Sequence, residues 1–137
     1  MIIFNNLILS EVPVNKKVKN WIVKAILNEN LKEGEVNYIF CDDNYLSELN
    51  IKYLKHNTLT DIISFDYTIG KIISGDIFIS IERVKENAEL FNTKYVDELH
   101  RVMIHGVLHY CGYKDKTDEE KIQMRSKEDY YLSLRDF

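Results

Sequence analysis

The side chains best suited to chemistry lie close together near the end of the chain, at His105, His109 and Asp115. Two histidines four residues apart on a helix are separated by ~40° around its axis and ~6 Å along it, so both imidazoles can reach one cation. Gly112 follows them, and glycine just past a helix readily takes the left-handed conformation that turns the chain back. Asp115 is thereby predicted to reach the same cation. Two imidazoles, one carboxylate and a fourth position for water are typical of catalytic zinc.

The other reading of a His-x-x-x-His pair is an ordinary surface or core feature of a helix, and the glycine and the acid that follow shift the interpretation towards a metal. Gly106 also requires a reason, since glycine inside a helix costs roughly 1 kcal/mol relative to alanine. We expect another backbone or a substrate to approach closely there. The layout is similar to the metzincin proteases, but Gly106 occupies the place of their general base, a glutamate.

The elements that must position these residues follow from hydrophobic periodicity. We expect a first strand at 2–9, interrupted at Asn5-Asn6, and a turn at Gly34 leading into a second strand. Asp43 or Asn44 is expected to cap the second helix. The remaining expected strands are 36–40, 61–67 and 72–80. The expected helices are 15–30, 81–91, 94–111 and 117–134, and a further helix, the second along the chain, carries Leu46, Leu49 and Tyr53 on one face. Thr117 to Glu120 fits a capping box for the last helix.

The last two strands are joined by a short connection around Gly70, which predicts an antiparallel hairpin. The earlier strand-helix-strand units are long enough for parallel, right-handed crossovers. We therefore predict an α+β fold in a single domain spanning 1–137, with a mixed four-stranded sheet that contains one antiparallel strand. A zincin-like helix would carry the two histidines.

Composition limits the functional classes. The chain has 137 residues, 45% of them apolar, and a net charge of −4, which argues against non-specific wrapping of nucleic acid but not against a local basic groove. Cys41 and Cys111 are too few for a disulfide framework, and we interpret both as core cysteines. No leader or long apolar span opens the chain, so we expect a cytoplasmic protein with no membrane contact.

The sequence from His105 to Tyr113 resembles the YbeY family, which reads His-Gly-x-Leu-His followed by Gly-Tyr. Three upstream stretches agree in order and spacing: Leu49-Asn50, Thr60-Asp61-Ile62-Ile63-Ser64-Phe65 and Gly75-Asp76-Ile77. The resemblance runs from about residue 49 to 115. It implies a zinc-dependent, single-strand-specific endoribonuclease of ribosomal RNA maturation, with one zinc ion per chain held by His105, His109 and Asp115. The ribosome or its proteins would be possible partners.

Two positions depart from the family pattern. Asp115 stands where a third histidine is usual; a carboxylate is an acceptable zinc ligand, but its charge should make a bound water less acidic. Leu54 replaces an arginine suited to phosphate. We name Lys55, His56 and Ser64 as candidate RNA-binding residues, although a solvated loop or a strand-end hydroxyl explains them equally well.

Two other functional classes remain open. One is a metalloprotease or other zinc hydrolase, for which Glu98, two turns before His105, is the helical candidate for a base. The other is a non-catalytic ribosome-assembly factor whose metal serves stability. No side chain is assigned as the catalytic group, since the expected nucleophile is a water activated by the metal.

Overall fold

The computed structural model of the chain describes residues 1–54 and 60–137, without the side chain of Leu54. The strands are β1 Ile2–Asn6, β2 Lys32–Cys41, β3 Ile62–Asp66 and β4 Ile72–Ser80. The helices are α1 Lys16–Asn28, α2 Asp43–Leu49, α3 Ile81–Leu90, α4 Tyr95–Tyr110 and α5 Asp118–Ser133, and a short π-helical segment, Asn50–Leu54, follows α2. No helix in these described ranges is long and apolar enough to cross a membrane.

The four strands form one sheet in the order β1-β2-β4-β3. β1 runs parallel to β2 and β2 parallel to β4, whereas β3 pairs with β4 in the antiparallel direction. The predicted α+β class and the mixed sheet with one antiparallel strand are therefore confirmed. Because β3 is antiparallel, it begins beside the carboxyl end of β4, where the Ser80 amide donates to the Asp61 carbonyl at 3.0 Å.

The core fills the space between one face of the sheet and the helices α1 and α4. Val36, Tyr38 and Phe40 alternate inward along β2, as a half-buried strand requires. Helix α4 is the most deeply buried helix, and ten of its sixteen residues are buried. The Tyr38 hydroxyl donates to the Met103 carbonyl at 2.8 Å, so this buried polar group is satisfied. Helix α4 is thus fixed against the sheet on one side.

The predicted capping box of α5 is confirmed, since Thr117 and Glu120 form it. The Asn15 side chain caps α1 by accepting from the Lys17 and Val18 amides, at the residue where that helix was expected to begin. Helices α3, α4 and α5 lie within a residue or two of their expected ends. The cap of α2 differs: it is Asp42, because Asp43 lies in the first helical turn and binds Ser80 and Arg83 instead.

Two expectations about the first strands are wrong. β1 continues through Asn5 and Asn6 and ends there, because the Asn6 side chain accepts from the Ile8 amide and donates to the Ser10 carbonyl, which turns the chain. Gly34 lies inside β2 rather than at a turn. A Cβ at Gly34 would come within 2.2 Å of Ser74 Oγ, so glycine permits the close approach of β2 and β4.

Candidate metal centre

Helix α4 presents two imidazoles to the same point. The Nε2 atoms of His105 and His109 lie 3.0 Å apart, and the ring centroids are 4.6 Å apart with the planes nearly perpendicular. Both side chains are half-buried, with 21% and 30% of their surface exposed. The spacing of four residues therefore has the predicted consequence, which is that two nitrogen ligands converge from one helix face.

The turn after α4 brings the third side chain to this point. Gly112 has φ +105°, the Gly112 amide donates to the His109 carbonyl at 3.0 Å, and the Tyr113 amide donates to the Leu108 carbonyl at 3.1 Å. These two bonds form a Schellman motif, which reverses the chain at a helix end. Asp115 Oδ2 then lies 3.2 Å from Nε2 of each histidine.

The donor set fits a zinc ion. All three candidate ligand atoms lie within 4.8 Å of one another. Ligand atoms about 2.0–2.1 Å from a tetrahedral zinc are separated by about 3.3 Å, which is close to the observed spacing. Zinc accepts imidazole and carboxylate ligands, and three protein ligands leave the fourth position of a tetrahedral zinc ion open. The structure thus brings together the three residues predicted from the sequence.

A network of charges from α5 lies behind His105. Glu128 Oε2 is 2.7 Å from His105 Nδ1, and Glu128 Oε1 accepts from Arg101 Nη1 at 2.9 Å. Arg101 also donates to Asp129 at 2.7 Å. Burial acts to lower the pKa of His105, but the hydrogen bond and the charge of Glu128, with the charges of Asp115 and Asp61, outweigh it and raise that pKa.

The turn that carries Asp115 is anchored to α1. The Tyr113 hydroxyl donates to Glu29 Oε1 at 2.6 Å, and the Tyr131 hydroxyl donates to the other oxygen. Lys127 Nζ lies 3.5 Å from the same carboxylate. Burial acts to raise the pKa of Glu29, but these hydrogen bonds and the lysine charge hold it below its usual value. The carboxylate therefore stays ionised and binds two phenols that come from different parts of the chain.

A cavity of about 360 Å³ opens beside His105 and Asp115. Asp61 and Glu98 line it, and burial raises the pKa of each carboxyl group. Arg101 and Arg125 supply positive charge at its wall. Arg101 is fully engaged by Glu128 and Asp129, whereas Arg125 is 61% exposed and lies 4.0 Å from its acidic neighbour, Glu128. The Arg125 guanidinium is consequently available to an anion in the cavity.

Gly106 does not face this cavity. A Cβ there would lie 3.0 Å from Ile77 Cδ1 and 3.2 Å from Ile62 Cδ1, so Gly106 allows α4 to pack tightly against the side chains of β3 and β4. The expectation that a backbone or a substrate approaches Gly106 is therefore wrong. Packing against two isoleucines is the reason for the glycine.

The candidate RNA-binding residues are placed unequally. Lys55 and His56 lie outside the described residues. Ser64 is exposed on β3 but is not among the residues that line the cavity, whereas Thr60 and Asp61 are. Cys41 is buried and Cys111 half-buried; both are free thiols, and burial raises the pKa of each to about 12, so neither is a reactive thiolate.

Sequence reasoning did not identify Glu128 or Arg101. A signal for Glu128 was present, because the buried positions of α5 are Met124, Glu128 and Tyr131, a helical i, i+4, i+7 stripe in which only one member is charged. A carboxylate on the apolar face of a helix needs a partner on the element it packs against. Arg101 and His105 on α4 are those partners.

Comparison with known proteins gives a consistent result. The family model described as Endoribonuclease YbeY matches residues 5–135. A protein of Flavobacterium psychrophilum named endoribonuclease YbeY is 60% identical over 134 residues, which are 98% of this chain and 96% of the relative. One of Flavobacterium johnsoniae with the same name is 58% identical over 115 residues, 84% and 83% of the two chains. The solution structure of TM1509 from Thermotoga maritima is similar with a TM-score of 0.69 and 28% identity, covering 97% of this chain and 87% of that one.

Proposed function

Because this chain belongs to the YbeY family, we propose that residues 1–137 form one zinc-dependent hydrolase domain that cuts single-stranded RNA during ribosomal RNA processing and ribosome maturation. The observation that carries the proposal is the convergence of His105, His109 and Asp115 on one point at the mouth of an acid-lined cavity. A role on ribosomal RNA implies action in the cytoplasm, with ribosomal proteins as possible partners.

His105, His109 and Asp115 would hold one zinc ion per chain. When bound, zinc supplies a Lewis acid that polarises a phosphoryl oxygen and lowers the pKa of a water. Arg125 presents a largely exposed guanidinium at the cavity wall and would hold a phosphate oxygen of the RNA backbone. Asp61 and Glu98, whose pKa values burial raises, are the cavity carboxyls suited to exchange a proton with the attacking or leaving oxygen. Lys55, His56 and Ser64 remain proposed RNA contacts.

The cavity is short and lies between α4, α5 and the residues at the start of β3. Duplex RNA is recognised by platforms that span successive minor grooves, so single-stranded RNA is the substrate that fits. The chain is acidic overall, and its basic residues near the cavity are few. RNA affinity should therefore fall with rising salt, with a modest slope that reflects a few phosphate contacts.

The test compares zinc-loaded wild-type protein with the His105→Ala, His109→Ala double variant on single-stranded RNA, duplex RNA and a peptide library. We expect cleavage of single-stranded RNA by the wild type alone. The double variant is purified identically and controls for contaminating ribonuclease. Equal RNA cleavage by both proteins would overturn the proposed activity, and peptide cleavage by the wild type alone would favour the metalloprotease alternative. Absence of any cleavage, with ribosome binding retained in both, would favour a non-catalytic assembly factor.

A further inference from the structure

Glu128 is a buried acid in contact with the candidate metal centre. Its side chain is 6% exposed, yet it lies on α5, a helix with only three buried residues. Both carboxylate oxygens have a partner, Oε1 in the Arg101 guanidinium and Oε2 in the His105 ring. A buried carboxylate needs a hydrogen-bond partner for each oxygen, and both oxygens of Glu128 have one.

The contact with His105 decides which ring nitrogen carries the proton. A neutral imidazole has one N–H, and because a carboxylate oxygen can only accept, the 2.7 Å contact with Glu128 Oε2 requires that N–H on Nδ1. The Nε2 lone pair is then left facing His109 Nε2 and Asp115 Oδ2. The other tautomer would place an acceptor against the Glu128 carboxylate, so it is disfavoured at Nδ1, and its N–H on Nε2 would block the position of the ion.

We propose that Glu128 is a positioning residue of the metal centre, which fixes the tautomer and the orientation of His105 so that Nε2 faces the ion. This inference rests on the proposed zinc site and extends it to the residue that prepares a ligand. Histidine ligands commonly donate their second N–H to a carboxylate, which also makes the ligand nitrogen more basic.

Arg101 makes the position of Glu128 rigid. Its guanidinium bridges Glu128 on one nitrogen and Asp129 on the other, which ties α5 to α4 beside the histidines. Of the other three cavity carboxyls, Asp115 faces Nε2, whereas Asp61 and Glu98 make no hydrogen bond to His105 within the described part of the chain. Glu128 is therefore the acid that the structure assigns to Nδ1 of this imidazole.

Asp129 provides a matched control on the next residue of the same helix. Its carboxylate binds the same guanidinium at 2.7 Å, but its side chain is 59% exposed and makes no hydrogen bond to His105 in the part of the chain that the structure describes. Glu128→Gln and Asp129→Asn each remove one negative charge beside Arg101 and preserve side-chain size. The two variants differ in whether the His105 partner is lost.

The experiment measures the zinc dissociation constant of metal-free wild type, Glu128→Gln and Asp129→Asn by competition with a chromophoric chelator. We expect zinc affinity to fall about 10–100-fold in Glu128→Gln, as for other outer partners of ligand histidines, and to remain at the wild-type value in Asp129→Asn. Cobalt(II) in place of zinc should give an altered visible spectrum in Glu128→Gln and the wild-type spectrum in Asp129→Asn.

Thermal melting of the metal-free proteins checks that each is folded. If Glu128→Gln alone does not fold, the same comparison is made between Arg101→Met and the Arg101→Met, Glu128→Gln double variant, in which no guanidinium is left unpaired. If Glu128→Gln had the zinc affinity and the cobalt spectrum of the wild type, the positioning role would be overturned and the zinc site would remain. Equal losses of zinc affinity in Glu128→Gln and Asp129→Asn would have the same meaning. Absence of zinc binding by the wild type would overturn the proposed function as well.

Discussion

Two histidines on α4, five residues apart, occupy opposite electrostatic environments. His105 faces the carboxylates of Glu128 and Asp115, whereas His100 is buried between the rings of Trp21 and Phe137. Arg135 donates to His100 Nδ1 at 2.8 Å, and His100 Nε2 is buried without a hydrogen-bond partner in the described part of the chain. One ring thus belongs to a polar cavity and the other to an aromatic pocket.

The difference shows that burial alone does not decide what a histidine does. Burial acts to lower the pKa of both rings. At His100 the nearby charge of Arg135 acts in the same direction, Asp97 opposes it weakly, and the pKa falls to about 4. At His105 the neighbouring carboxylates reverse the effect and the pKa rises. A ring held neutral by a cation and aromatic groups serves packing, and a ring held by a carboxylate is prepared for a cation.

The largest expected effect comes from removing each ring in turn. His105→Ala deletes a proposed ligand, so zinc affinity should fall by more than the roughly 10–100-fold typical of losing an outer partner. His100→Asn keeps an acceptor for Arg135 and should bind zinc as the wild type does. Elemental analysis after dialysis and chelator competition measure both. Equal zinc content in the two variants would remove the distinction between the two environments.

The second prediction concerns stability and pH at His100. Its pKa is lowered from 6.5 to about 4 on folding, so its contribution is fully present above pH 6.5 and is lost as the pH falls towards 4. A shift of that size corresponds to about 3 kcal/mol. Urea unfolding of metal-free protein should show His100→Asn losing less stability than wild type between pH 7 and 4. Parallel pH profiles for the two proteins would contradict the assignment.

The features that the sequence predicts are those decided within a few residues. The capping box of Thr117 and Glu120 and the left-handed Gly112 each depend on backbone groups at most five positions away, and both were identified. The convergence of His105, His109 and Asp115 follows from the same local geometry. The helix period and one Schellman turn are sufficient to place all three.

What sequence reasoning could not predict depends on contacts between distant segments. Gly34 looks like a turn until β4 is placed against it, and Gly106 looks like a substrate contact until Ile62 and Ile77 are known to pack there. Glu128 is one of many charged residues on α5, and its importance appears only when α4 supplies His105 and Arg101. Tertiary packing decides each of these roles, so local patterns do not contain them.

The third prediction concerns the exposed side of the metal centre. Asp115 is 38% exposed and contacts both histidines. The His105 ring therefore has a carboxylate at each nitrogen, Asp115 at Nε2 and Glu128 at Nδ1. Asp115→Asn replaces the carboxylate with a neutral amide, a poorer ligand, and should weaken zinc by about tenfold or about 1.4 kcal/mol. Asp115→His should retain zinc. An unchanged zinc dissociation constant in Asp115→Asn would show that another residue completes the site, and Asp118 would be examined next.

The smallest predicted effect concerns Glu29, the residue that anchors the turn carrying Asp115. This anchor lies outside the surroundings of both His100 and His105. The hydroxyls of Tyr113 and Tyr131 both donate to Glu29, but only Tyr113 lies in the turn, two residues before Asp115. Each change to phenylalanine removes one hydrogen bond to a carboxylate that keeps its other donors, so Tyr113→Phe should lower the free energy of unfolding by about 1 kcal/mol. Tyr131→Phe also removes the bond that the Tyr131 hydroxyl accepts from Asn28 and should lower it somewhat more.

Zinc affinity separates the two tyrosine variants. In Tyr113→Phe the turn keeps its Schellman bonds and the packing of the ring but loses the hydroxyl anchor. Asp115 then samples more positions, and zinc should bind a few-fold more weakly, roughly the factor of five that corresponds to 1 kcal/mol. Tyr131→Phe loosens the opposite oxygen of Glu29 and leaves Tyr113 bound, so its zinc affinity should equal that of the wild type. Chelator competition and urea unfolding on the same samples test this. If zinc affinity fell equally in both variants, the loss would follow global stability, and the anchor would have no specific role in holding the third ligand.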